Sequence, residues 1–240
     1  MAIPIKDASE LGRLLAAVSI ELVNANISFR MCMDISAAHR EFYDEIQQSR
    51  TFWHQTMRAN LDASVLALGK VYDQKKRNAG LPGLLDTIQA NPHFFAAEEF
   101  AKRIVDRQGA DTLTAEHRSL NRQILRDDIE KVDVKNNPLV GILMGMRHNF
   151  YSHRNSSDLI NNRSARDKYP LNNEDVGKLI LDGLNIANRY GVLFNAVSYT
   201  GQIVGHDDFK FLLERVREWL ATQRNEVERA LGGLGAGPDA

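Results

Sequence analysis

Two consecutive runs decide how this chain reads. Asn137-Pro-Leu-Val-Gly-Ile-Leu-Met-Gly-Met146 is almost wholly apolar, and Arg147-His148-Asn149-Phe150-Tyr151-Ser152-His153-Arg154-Asn155 then brings two arginines, two histidines and two amides together. Leu139, Leu143, Met146 and Phe150 fall at i, i+4, i+7 and i+11, the spacing of one buried helix face. Asn137-Pro138 starts that helix. From Asn155 to Asn173 the chain is polar, Arg-bearing and without periodicity. The spacing thus predicts a buried helix that carries titratable groups to the edge of a loop, where binding and catalytic residues concentrate.

Outward from this helix the pattern stays helical. Toward the N-terminus, Leu11, Leu14, Leu15, Val18, Leu22 and Ile27 predict a helix over Ser9–Arg30. Asp34 suits the cap of a second helix reaching Ile46, with Phe42 and Tyr43 as anchors. Phe52–Asp73 carries Leu61, Val65, Leu68 and Tyr72 on one face before the charged, glycine-ended run 74–80 breaks it. Pro82 opens a short helix, Leu84–Gln89, which Asn91-Pro92 stops. His93–Arg107 reads as amphipathic, 109–114 as a turn with Thr114 as a cap, and Glu116–Val134 as a solvated helix striped by Leu120, Ile124 and Ile129.

Past the polar segment, Asn173 suits the cap of a long helix to about Ser198, with Val176, Ile180, Leu184, Ala187, Gly191, Phe194 and Val197 inside and 201–205 ending it. Asp207 or Asp208 opens the last helix, where Phe209, Leu212, Val216 and Leu220 pack and Glu214, Arg215, Arg217 and Glu218 face water. Residues 232–240, rich in glycine, read as a flexible tail. No alternating strand pattern or fixed-period repeat occurs. The expected fold is all-α: one domain over 1–231, with the motif-bearing core at about 51–231, packed as a helical bundle with additional N-terminal helices.

Composition bounds the function. The 240 residues are 43% hydrophobic and 25% charged, as in an ordinary globular protein, and the net charge of −1 announces no global nucleic-acid affinity. One cysteine, Cys32, rules out an internal disulfide framework and fits a reducing cytoplasm. Residues 1–10 lack a basic region followed by an apolar run, and no apolar stretch approaches the roughly 20 residues that span a bilayer. A soluble, cytoplasmic protein with no membrane partner is expected. Seven histidines form no metal-ligand spacing, and no phosphate-cradling glycine loop or nucleophile-elbow serine occurs, so neither metal nor cofactor is expected.

The arginine and histidine chemistry is specific. On a continuing α-helix His153 would share the face of Met146 and Phe150, with Arg147 roughly 120° away, at 3.6 residues per turn. For both to meet one substrate, the helix must end near Ser152 or a second copy must complete the site. A histidine titrating near neutrality can take the proton of a ribose 2′-hydroxyl or give one to the 5′-leaving oxygen. An arginine presents a charged planar fork to phosphate oxygens as negative charge builds. That reaction needs no metal, because the nucleophile belongs to the RNA. Between Val140 and Pro170 five Arg and Lys face two Asp, a local +3, and Asn149, Asn155, Asn161 and Asn162 add amides that could contact RNA backbone or bases. The structural reading of the same residues has Arg147 pairing with a carboxylate such as Asp73, and His153 satisfied at a helix C-terminus.

Arg147-His148-Asn149-Phe150-Tyr151-Ser152-His153 resembles the Arg-x4–6-His signature of the HEPN superfamily, helical proteins that include many metal-independent ribonucleases. The resemblance is nearest to the abortive-infection branch, in which an upstream helix ending in an aspartate, like Leu66-Ala-Leu-Gly-Lys-Val-Tyr-Asp73, and a Leu-rich segment, like Gly83-Leu-Leu-Asp-Thr-Ile88, precede the motif helix. It covers roughly Thr51 to Asn155. It implies a HEPN-like bundle whose two copies face their motif helices into one composite site. Arg147 would bind phosphate and His153 transfer protons, with His148, Asn149, Tyr151 and Arg154 as substrate contacts. The implied role is RNA cleavage in prokaryotic defence: abortive infection, antiviral defence or a toxin–antitoxin pair, with an antitoxin or regulatory protein as a further partner. Members silenced by a nucleotidyltransferase antitoxin often carry tyrosine two residues after the histidine; here that position is Asn155. The competing reading is a non-catalytic HEPN-like module that binds RNA, nucleotide or a partner protein through the same residues.

Overall fold

The computed structural model describes residues 2–75, 78–105, 119–152, 160 and 168–234. Among them are nine α-helices and no strand, an all-α architecture. In order these are α1 (Ala8–Ala38), α2 (Tyr43–Gln47), α3 (Arg50–Val71), α4 (Leu81–Ala90), α5 (Ala97–Ile104), α6 (Arg122–Val132), α7 (Pro138–Met146), α8 (Asn173–Asn195) and α9 (Phe209–Leu234). Their contacts fall into two compact units: Met1–Phe29 with Asp62–Gln202, and Arg30–Leu61 with Ile203–Ala240.

The first unit is built on α1, whose Leu11, Leu15, Val18 and Leu22 are buried against Leu68 and Tyr72, Leu84 and Leu85, Val140 and Leu143, and the inner face of α8. That buried face explains the composition of α1. By length and composition alone α1 is apolar enough to cross a membrane, but its Leu11, Leu15, Val18 and Leu22 belong to the core. Tyr72, wholly buried, donates its hydroxyl to the Leu179 carbonyl at 2.8 Å and so ties the end of α3 to α8. The motif helix α7 starts as expected: Asn137 accepts from the Leu139 N–H at 3.0 Å and Pro138 occupies the first turn, where its missing N–H costs nothing. Its buried residues are Val140, Leu143 and Met146, with Leu139 partly covered.

The second unit has its own small core of Ile35, Ala38, Phe42, Ile46, Trp53, Phe209 and Leu213. The Arg217 guanidinium lies over the Phe42 ring, 4.4 Å from its centroid, and donates to the buried Glu45 carboxylate at 2.6 Å.

Several expected boundaries move. Asp34 does not cap a helix, because α1 runs on to Ala38 with no glycine or proline to stop it; Asp34 sits 2.6 Å from His206 Nδ1 instead. The amphipathic stretch after Pro92 is a 3-10 turn, Pro92–Phe95, and then α5, parted by Ala96 in extended conformation. α6 opens later than expected, on Asn121, whose side chain accepts from the N–H groups of Gln123 and Ile124. Leu120 therefore precedes the helix, and the buried face is Leu125, Asp128 and Val132, leaving Ile124 exposed. A capping box on Asn172 and Asp175 starts α8 one residue before the expected cap, and Ala196 ends it with φ of 56°. In α9 it is Leu213, four residues after Phe209, that packs, while Leu212 is exposed. Gly232–Leu234 complete α9. The expected turn at 109–114 and the tail beyond 234 lie outside the described residues.

Candidate functional site

The site is organised around a carboxylate. As α3 ends, Asp73 is left 3% exposed, and its two oxygens accept three bonds: Oδ1 from the Lys75 N–H at 2.9 Å, Oδ2 from the Asn78 amide at 2.8 Å and from Arg147 Nη1 at 2.7 Å. Burial alone would push this carboxyl up. The bonds from Arg147, Lys75 and Asn78, with the Arg147 charge, outweigh it and hold the group below the usual aspartate range, so it stays ionised.

Arg147 reaches Asp73 from the end of α7 by lying across α3 at Gly69. A Cβ built there would stand 2.7 Å from Arg147 Cδ and 3.2 Å from Cγ, so no larger residue fits without moving the arginine. The side chain is 27% exposed, and among the described residues Asp73 is its one hydrogen-bond partner. A guanidinium held by one nitrogen keeps most of its donor fork for another anion.

Beyond Met146 the backbone does not stop but widens. Arg147–Ser152 forms a π turn, a form that recurs at functional sites. Asn149 turns its amide back onto the Gly145 carbonyl at 2.8 Å, stitching this turn to α7, while His148 is exposed. The Tyr169 ring lies against Gly145, occupying the space a Cβ would need. The arrangement brings Arg147, His148 and Asn149 together at one helix end. Tyr151 contributes its backbone to the π turn, and its side chain lies outside the described residues, as do His153 and Arg154.

The family model HEPN_AbiU2, described as AbiU2, matches residues 8–222. The chain belongs to this HEPN family. Comparison with curated proteins and with solved structures gives no match. The matched span of the AbiU2-type HEPN domain takes in α1 to α8 and ends part-way along α9.

In this HEPN chain another buried carboxylate has no counterpart in the sequence reading. Asp128 of α6, 1% exposed, accepts from the Tyr190 hydroxyl at 2.7 Å and from Arg189 Nη1, both on α8. Burial and the Asp128 charge push the Tyr190 hydroxyl far above the usual phenol range, so it remains a donor. The signal was present: Asp128 stands three residues after Leu125 and four before Val132, on the one apolar face of a charged helix. A stripe read from apolar side chains alone passes over a buried carboxylate.

Proposed function

We propose that this HEPN protein is a metal-independent endoribonuclease of prokaryotic defence or toxin–antitoxin type. It acts in the cytoplasm as a homodimer, with Arg147 and His153 of two copies composing one site. Membership of a HEPN family supports a nuclease or RNA-related defence role in general. The observation that carries the sharper reading is the setting of Arg147: oriented by an ionised aspartate, partly open to solvent, and followed by a widened turn leading toward His153.

In this reading the 2′-oxygen of RNA attacks the adjacent phosphorus, the bond to the 5′-oxygen breaks, and a 2′,3′-cyclic phosphate forms. One histidine removes the 2′-hydroxyl proton and another protonates the leaving 5′-oxygen. Arg147 binds the non-bridging oxygens as they gain charge. His148, Asn149, Tyr151 and Arg154 contact the RNA on either side.

One observation favours the alternative of a binding module without catalysis: the Asp73–Arg147 pair already gives the arginine a structural partner. Labelled single-stranded and structured RNA, incubated with the protein in EDTA, separates the two. The ribonuclease reading expects fragments ending in 2′,3′-cyclic phosphate from the wild type and none from folded His153→Ala. Binding without cleavage by both proteins would establish the module instead.

A further inference from the structure

The motif helix carries a second side chain in a glycine notch. A Cβ built at Gly145 would stand 2.8 Å from Tyr169 Cζ and closer still to Cε1 and Cδ1, so the ring lies directly on the backbone of α7. The carbonyl of the same glycine accepts the Asn149 amide at 2.8 Å, and the residue before Asn149 is the exposed His148. The Tyr169 ring is only half-buried, and among the described residues its hydroxyl makes no hydrogen bond. Tyrosines held for packing find a partner for that hydroxyl, as Tyr72 does on Leu179 and Tyr190 on Asp128. Lys168 is exposed, forms no ion pair among the described residues, and brings its ammonium to 5.4 Å from the Tyr169 ring centroid. An aromatic ring seated at the end of the motif helix thus has part of its surface and its hydroxyl unused, with an unpaired cation at its side.

We infer that Lys168 and Tyr169 form a nucleotide subsite for single-stranded RNA: the ring stacks one base and the ammonium takes the phosphate beside it. The inference rests on the RNA reading above and extends it to residues outside the Arg–His motif. Ring and cation together select this ligand, because every base has a π-face and every nucleotide a phosphate. An anionic membrane would call for a cluster of cations or an amphipathic helix, and these two residues form neither. Seating on Gly145 fixes the ring before RNA arrives, which lowers the ordering cost of binding. Gly145 and Arg147 are two residues apart and so face nearly opposite sides of the helix, at about 100° per residue. The subsite therefore takes a base neighbouring the bond that breaks, while Arg147 holds the phosphate at that bond.

The test is fluorescence anisotropy of a labelled single-stranded RNA oligomer with the full chain in EDTA. Every protein compared carries His153→Ala, so that the RNA stays whole, and that variant is the parent. Tyr169→Phe is expected to bind like the parent, because the hydroxyl is unused. Tyr169→Leu still fills the notch on Gly145 but has no π-face, and is expected to bind about tenfold more weakly at an unchanged melting temperature. Lys168→Gln is expected to lower the slope of log K against log salt by about 0.7, the share of one phosphate on a single strand. Tyr169→Leu binding as tightly as the parent overturns the inference. So does Lys168→Gln with the parent's slope, in a variant whose fold is not at risk because Lys168 is exposed. Either of these results leaves the roles of Arg147 and His153 standing. A parent that binds no RNA overturns the subsite and the RNA reading together, so the two failures give different patterns.

Discussion

Replacing Gly69 by alanine tests the geometry of the site with one methyl group. The added Cβ would stand 2.7 Å from Arg147 Cδ. Carbon atoms pack at about 3.5–4.0 Å, so the arginine must retreat by about 1 Å at a point midway along its side chain. That retreat pulls Nη1 off Asp73. A charge-assisted bond contributes roughly 1.5–3 kcal/mol, while alanine in place of glycine inside a helix returns roughly 0.8–1 kcal/mol. The net is a destabilisation of about 0.5–2 kcal/mol, or a few degrees at roughly 2–4 °C per kcal/mol for a domain of this size. Gly177, on α8, is the internal control. Its Cβ would meet Phe29 at an ordinary 3.4 Å, so Gly177→Ala keeps the helix gain and is expected to melt higher. If the chain cleaves RNA, a catalytic group displaced by about 1 Å costs on the order of a hundredfold in rate. Thermal melting of both variants, with RNA cleavage alongside, is the assay. Gly69→Ala melting as high as Gly177→Ala and cleaving like the wild type would refute the reasoning, because Arg147 would then not depend on the notch in α3.

Three further outcomes follow from the same geometry. Asp73 is held below its ordinary value, so its stabilisation is complete above about pH 4 and is lost as pH falls through the lower folded-state value; urea midpoints should therefore drop more steeply on acidification for the wild type than for Asp73→Asn. Asp128→Ala strands the Tyr190 hydroxyl and the Arg189 cation and should cost about 3 kcal/mol, the low end for a broken buried pair because Arg189 keeps contact with water, as measured by urea unfolding. Ala196→Gly relieves a left-handed backbone at the end of α8 and should raise stability by roughly 1 kcal/mol in a thermal melt.

What the sequence revealed depended on where the physics is local. Asn137-Pro138 encodes the start of α7 in two adjacent residues, and the structure places it there. The helix-ending Asp73 was read both from the resemblance and as a partner for Arg147, and the pair forms. Gly69 was invisible, because nothing in the spelling of a helix says which residue crosses it from 78 positions away. Boundaries failed where a residue had two uses. Asp34 suits a cap, but with no glycine or proline to stop it α1 runs on to Ala38, and Asp34 lies beside His206 instead. Ala196 in a left-handed conformation carries no sequence signal, so the end of α8 was sought at 201–205. On α6, Leu120 and Ile129 of the expected stripe pack against the core while Ile124 is exposed, because the helix starts on Asn121 and turns Leu125 and Val132 fully inward.

The π turn at Arg147–Ser152 bears on how much sequence change this end of α7 can absorb. A π turn is an α-helix carrying one residue in surplus, absorbed as a local swelling of the coil. Here the swelling begins after Met146, the last buried residue of α7, so its length can change without shifting Val140, Leu143 or Met146 in the core. Deleting one residue within His148–Ser152 would restore α geometry and shorten the Arg–His interval, leaving the packed face of α7 in register. The interval between Arg147 and His153 can then change at little cost to the fold, because the point of change lies outside the part of the helix that the core measures.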